Sequence, residues 1–192
     1  MTSAEGFFAP VPTHHAEVGT GSVPEPVEGP YTPILGVLVY VLSPDRRQVL
    51  LIHRVGRPDD QHLGKYNGLG GKVEPLEDVA AAARREVLEE TGVELTALRL
   101  RGTVSWPGFG TGGEDWFGFI FVGEVDPDVT LTANHEGALT WQPLDRLLAF
   151  DLPLWEGDRY FLPLVFDEAV TQFHGVLPYS DGRPVSWAVT LL

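Results

Sequence analysis

Three glutamates, Glu86, Glu89 and Glu90, fall within one short stretch, residues 71–93, that reads GKVEPLEDVAAAARREVLEETGV. On a helix with 3.6 residues per turn, positions i, i+3 and i+4 share a narrow arc. Like charges at that spacing repel and weaken an isolated helix. The cluster therefore makes chemical sense with a cation seated on it. Carboxylate oxygens are hard ligands, which favours Mg²⁺ or Mn²⁺. A divalent ion held this way can neutralise phosphate charge and ready a water for attack.

The neighbouring residues supply an element to carry these acids. Asp78 is placed to cap a helix, and Thr91-Gly92 to end it with glycine in the left-handed conformation. Ala80, Ala83 and Val87 make an apolar stripe about a quarter-turn from the carboxylates, expected to pack on a sheet while the acids face a cleft. Arg85 lies beside the acid arc and can reach Glu89, or Glu77 before the helix, in a guanidinium–carboxylate fork that holds the acids in place. The segment Tyr66-Asn67-Gly68-Leu69-Gly70-Gly71-Lys72 leads into the helix. Its glycines allow backbone carbonyls and amides to approach a metal or a phosphate.

Gly71, five residues, Glu77, seven residues and then Arg85-Glu86-Val87-Leu88-Glu89-Glu90-Thr91-Gly92-Val93 fits every fixed position of the Nudix box. The chain resembles the Nudix hydrolases, which implies a divalent-metal enzyme that cuts nucleoside diphosphates linked to a further group. The resemblance implies that Glu86, Glu89 and Glu90 hold Mg²⁺ or Mn²⁺ with the carbonyl of Gly70 or Gly71. It makes Arg85 and Glu77 structural, and it places Arg54 and Lys72 against the substrate, Arg54 at a phosphate. Glu136, five residues before Trp141, resembles the position that supplies an extra metal ligand or a general base.

Two further stretches resemble the branch of that family that hydrolyses oxidised purine nucleotides such as 8-oxo-dGTP to the monophosphate. They are residues 67–73 and residues 154–163, the latter followed by Phe173-His174-Gly175. By that resemblance Asn67 reads a base edge, Trp155 stacks on the base and Asp158 hydrogen-bonds to it. An aromatic face can stack any base, whereas amide and carboxyl edges discriminate among purines. One departure stands out: the branch has two consecutive aspartates after the tryptophan, and this chain has Gly157-Asp158. The expected reaction is release of nucleoside monophosphate and pyrophosphate from an oxidised purine triphosphate. The alternatives are cleavage of ADP-ribose or a dinucleotide, and a nucleotide-sensing domain without turnover.

With 192 residues and 43% hydrophobic content, one domain with a sizeable core is expected. The net charge of −14 argues against nucleic acid as a partner and leaves a small nucleotide, bound through the cation, as the expected one. No apolar run is long enough to span a bilayer, and the absence of cysteine fits the cytoplasm. Residues 1–33, rich in Pro, Gly, Ser, Thr and Glu, read as an arm with little structure of its own, and 34–192 as the domain. Strands are expected at 34–42, 48–54, 94–104, 116–125 and 138–142, with helices at 143–150 and 160–170. A closing hairpin, 172–179 with 184–191, is expected around Ser180-Asp181-Gly182-Arg183. Strands flanking a central helix, with later helices, give an α/β class: an α/β/α sandwich around a mixed sheet.

Overall fold

The apolar run Ile34–Leu42 forms a strand near the middle of one large sheet. The computed structural model describes residues 13–19, 21–22, 29–55, 63–132 and 137–192. In chain order the elements are β1 (Thr13–Glu17), β2 (Ile34–Leu42), β3 (Gln48–His53), β4 (Tyr66–Asn67), α1 (Val79–Thr91), β5 (Ala97–Trp106), β6 (Trp116–Glu124) and β7 (Ala138–Pro143). They continue with α2 (Leu144–Leu148), α3 (Asp158–Phe166), β8 (Phe173–Val176), β9 (Tyr179–Ser180), β10 (Arg183–Pro184) and β11 (Ser186–Leu191). The sheet runs β1-β11-β8-β5-β6-β2-β3-β4, with β7 also paired to β3. It is mixed: β2 is parallel to β6 and β5 to β8, while the other pairs are antiparallel.

A strand buried on both faces needs a run of apolar residues, and β2 has one at Val37 to Leu42 and β3 at Val49 to Ile52. Val37, Val39 and Val41 point with Leu50 and Ile52 to one side, where Ala82, Ala83 and Val87 of α1 cover them. Tyr40, Leu42, Val49 and Leu51 point to the other, under Leu147 of α2 and Phe161, Leu162 and Val165 of α3. Helices thus cover both faces, which is the expected α/β/α sandwich. No helix among the described residues is long and apolar enough to cross a membrane.

The helix carrying the acids has the expected ends. The Asp78 carboxylate accepts from Ala80 N at 2.8 Å and Ala81 N at 3.0 Å, and Gly92 caps the C-terminus at φ 73°. The stripe differs by one member: Ala80 is exposed, and Ala82 packs beside Ala83 and Val87. Position 82 lies about 100° around the helix from Ala83, so the buried face is broader than the stripe; Ala80 shares the arc of Ala83 and Val87 but sits in the first turn, where it is exposed.

Residues 13–17 differ from the expected unstructured arm. They add to the sheet as an edge strand, antiparallel to β11, with Thr13 opposite Thr190 and Glu17 opposite Ser186. Every side chain of β1 is exposed. A strand joined through its backbone and one threonine pair, Thr13 with Thr190, leaves no alternation of apolar and polar residues to read. The later helices also shift, α2 to Leu144–Leu148 and α3 to Asp158–Phe166, the latter with Pro163 inside it.

Candidate active site

The glycine turn and the acidic helix meet edge to face. Gly70 adopts φ +143°, open only to glycine at ordinary cost, and a Cβ there would overlap the Val37 carbonyl oxygen. Its N–H donates to Glu90 Oε2 at 2.9 Å, and Glu90 is buried. A Cβ on Gly71 would run into the Glu86 carboxylate, so the turn and the glutamate share one space. The Gly71 carbonyl accepts Val37 N–H at 2.9 Å, which makes Gly70 the better placed of the two to lend a carbonyl to a cation.

Arg85 organises the remaining acids. It forks onto Glu77, with Nε to Oε2 at 3.1 Å and Nη2 to Oε1 at 2.7 Å. Its Nη1 reaches Glu86 at 2.9 Å and Glu89 at 3.2 Å, and Nη2 also donates to the Lys72 carbonyl. These hydrogen bonds, that to Glu77 above all, raise the guanidinium pKa further. Glu77 is held below the usual carboxylate range by Arg85 and then by the Glu74 amide. Both partners expected for Arg85 are found, and Glu86 is a third. Among the described residues no three carboxylate or imidazole side chains converge in metal-holding geometry. Instead Glu86 and Glu89 are drawn onto Arg85, and Glu90 onto the Gly70 amide. The donors nonetheless suit a hard divalent cation in kind, being carboxylates against a glycine turn with a carbonyl at hand.

A cleft of about 480 Å³ links this acidic end to an aromatic one. It brings together Gly70, Gly71, Glu86 and Glu90 with Arg54, Lys72, Asn67, Trp155 and Asp158. Glu89 stays outside on the exposed side of Arg85, while Glu77 and Arg85 stand behind the acids. Glu136 lies outside the described residues. The Asn67 amide oxygen is shielded from solvent at the cleft wall. Trp155 meets Phe109 edge-on, with ring centroids 5.2 Å apart.

Asp158 opens α3 and accepts Trp155 N–H at 3.1 Å. Part of the residue touches the cleft, but protein crowds its carboxyl group, and this burial pushes the pKa up to about 7. The Trp155 amide and then the Lys65 ammonium oppose the rise. An unfolded aspartate titrates near 3.9. Between that value and about 7 the unfolded chain binds fewer protons than the folded one, so stability falls as pH rises through this window. Asp158→Asn keeps the Trp155 N–H acceptor and removes the titration. We expect its Tm to exceed that of the parent at pH 8 by roughly 3 °C and to match it near pH 4, by scanning calorimetry at both pH values.

Three residues of the aromatic end escaped the sequence reading. Lys65 donates to the Leu154 carbonyl at 3.0 Å and lies 4.7 Å above the Trp155 ring, pinning the loop before α3. Phe109 packs between Trp155 and Tyr179, its ring centroid 5.0 Å from that of Tyr179. Tyr179 lines the cleft beside Asp158. The glycine-rich stretch around Phe109 was the only visible signal; Lys65 and Tyr179 meet their partners across long stretches of chain.

A two-faced mixed sandwich, an acid-bearing helix against a glycine turn and an aromatic cleft alongside define a class of hydrolases. The NUDIX domain profile matches residues 32–165, and the chain belongs to the Nudix family. It is 32% identical over 158 residues to the oxidized purine nucleoside triphosphate hydrolase of Mus musculus, covering 77% of this chain and 87% of that one. A putative 8-oxo-dGTP diphosphatase of Bacillus subtilis is 34% identical over 118 residues, covering 62% and 72%. Among solved structures, a MutT mutator protein of Bacillus halodurans superposes with TM-score 0.66 at 25% identity, covering 81% of this chain and 97% of that one.

Proposed function

We propose that the chain hydrolyses a purine nucleoside triphosphate, with oxidised purine (d)NTPs such as 8-oxo-dGTP preferred, to the monophosphate and pyrophosphate with Mg²⁺ or Mn²⁺. The observation that carries this reading is that Glu86, Glu90 and Gly70 line the same cleft as Asn67, Trp155 and Asp158. A base seated at the aromatic end directs its phosphates towards the acids. The names of the mouse and Bacillus subtilis relatives support the same substrate class.

Each side chain has work to do in this reaction. Trp155 stacks on the base, and Asn67 and Asp158 present hydrogen-bonding groups to its edge. Arg54 and Lys72 offset phosphate charge along the cleft. Glu86, Glu89 and Glu90 with the Gly70 carbonyl would hold the cation, and Arg85 and Glu77 keep the acids on station. When bound, the divalent ion neutralises the polyphosphate and acidifies water. A water oxygen bonds to phosphorus in line, the bridging P–O bond breaks, and the proton passes to a carboxylate, Glu136 or a glutamate of α1.

A panel of dGTP, 8-oxo-dGTP, 2-oxo-dATP, ADP-ribose and diadenosine polyphosphates tests this reading, with products separated by chromatography. We expect monophosphate and pyrophosphate from the oxidised purines at kcat/KM about tenfold or more above dGTP, a difference of roughly 1.4 kcal/mol. Turnover confined to ADP-ribose or dinucleotides, or tight nucleotide binding in saturating Mg²⁺ without turnover, would overturn it.

A further inference from the structure

Gly157 is not required by its backbone. It sits at φ −69°, ψ −22°, a right-handed conformation that any residue adopts. What excludes a side chain is the space beside it. A Cβ built on Gly157 would overlap the Tyr179 hydroxyl oxygen, and would come within 2.7 Å of Leu177 Cδ2 and 3.2 Å of Tyr179 Cζ. The tyrosine hydroxyl and a side chain at 157 are therefore mutually exclusive occupants of one position, next to Asp158 and in the wall of the cleft.

Tyr179 is held there rigidly. It is buried, its backbone N–H donates to the Pro107 carbonyl at 2.8 Å, and its ring packs edge-on against Phe109. A phenol carries one proton, and that O–H is the group it can offer a ligand. Burial, reinforced by the negative charge of Asp158, keeps that proton on across the physiological range. The wall thus sets an O–H donor next to a carboxyl group. This pair complements a lactam, an N–H beside a C=O, as found in oxopurines.

We propose that the Tyr179 hydroxyl is a base-reading group of this cleft: it stands where Gly157 lacks a side chain and donates to the carbonyl oxygen of a purine lactam whose N–H is taken by Asp158. This inference rests on the reading of the cleft as a nucleotide site, and it adds the residue that selects oxopurines over purines without the oxygen. A carboxylate at position 157 could only accept when ionised, whereas a protonated phenol has an O–H to donate. The selection made here is therefore for a carbonyl oxygen at that point of the base.

Calorimetric titration of full-length wild type and Tyr179→Phe with three monophosphates tests it. Two of them, dGMP and dIMP, carry N1–H beside C6=O; 2-aminopurine deoxyriboside monophosphate lacks the C6 oxygen. Tyr179→Phe keeps the ring and its packing and removes one hydroxyl. The expected result is a loss of affinity of about tenfold for dGMP and dIMP, with the 2-aminopurine nucleotide unchanged within about twofold. An equal loss for all three, no loss for any, or no measurable dGMP binding by wild type overturns the proposal. Turnover of triphosphates is followed in parallel. If wild type hydrolyses none of them while the dGMP and dIMP selectivity still depends on Tyr179, the hydrolase reading falls and the base-reading role stands.

Discussion

Replacing Glu90 by Gln is expected to lower kcat by about a thousandfold or more in saturating Mg²⁺, with Tm within a few degrees of the parent. Glu90 is buried and accepts the Gly70 N–H at 2.9 Å. A glutamine carbonyl can accept the same hydrogen bond, so the turn keeps its shape while one negative charge disappears from the proposed cation site. Glu89→Gln should lose turnover comparably for a different structural reason. Glu89 is exposed and its ion pair with Arg85 contributes little to stability, so its removal leaves the fold intact. Pyrophosphate release under saturating 8-oxo-dGTP and a thermal melt of each variant separate the two effects. Near-full Mg²⁺-dependent turnover in both variants would refute the assignment of the glutamates to the cation, and EDTA should silence the parent reversibly.

The chain's acidity gains meaning at this site. A net charge of −14 disfavours a polyphosphate, and the cleft sets Arg54 and Lys72 against Glu86, Glu90 and Asp158. The local field favours an anionic ligand only once divalent charge has been added. Substrate affinity should accordingly depend on the cation more steeply than in a basic cleft.

How much could be read in advance follows from how local each feature is. The acidic helix was legible to its ends because Asp78, Gly92 and the glutamate spacing act within a few residues of chain. The strand Ile34–Leu42 was legible because burial on both faces demands an unbroken apolar run. The edge strand Thr13–Glu17 was not, since its side chains are all exposed and its pairing uses backbone groups that every sequence has. Tyr179 and Lys65 were invisible for another reason. Their partners, at Gly157 and at Leu154 and Trp155, are brought together only when β9 and the loop before α3 close over the cleft. The glycine at 157 could be read as a missing acid, but what stands in its place could not.

Arg101 is the residue whose loss should damage the fold most, and the sequence presents it merely as one basic residue in a strand. The register of β5 against β6 slips between Leu100 and Gly102, so Arg101 is the extra residue of a bulge. The slip changes which face the strand offers. Leu98 and Leu100 pack on the α1 side, whereas Val104 packs on the α3 side. The buried guanidinium then serves five carbonyls: Val165 at 2.7 Å, Asp167 at 2.7 Å, Val170 at 2.8 Å, and Leu164 and Thr171 at 3.3 Å. Several of these are the acceptors that the end of α3 leaves without intrahelical donors, where a cation is favoured. Arg101→Met removes every one of those donors and should cost about 3–5 kcal/mol, or roughly 10 °C in Tm for a chain of this size. Arg101→Lys should recover only part of the loss, because an ammonium has three donors and no planar fork. Since α3 carries Asp158 at its other end, surviving Arg101→Met protein should show a raised KM with kcat less affected. A melt within 2 °C of the parent would show that the carbonyls find other donors and that the bulge is not what seats α3.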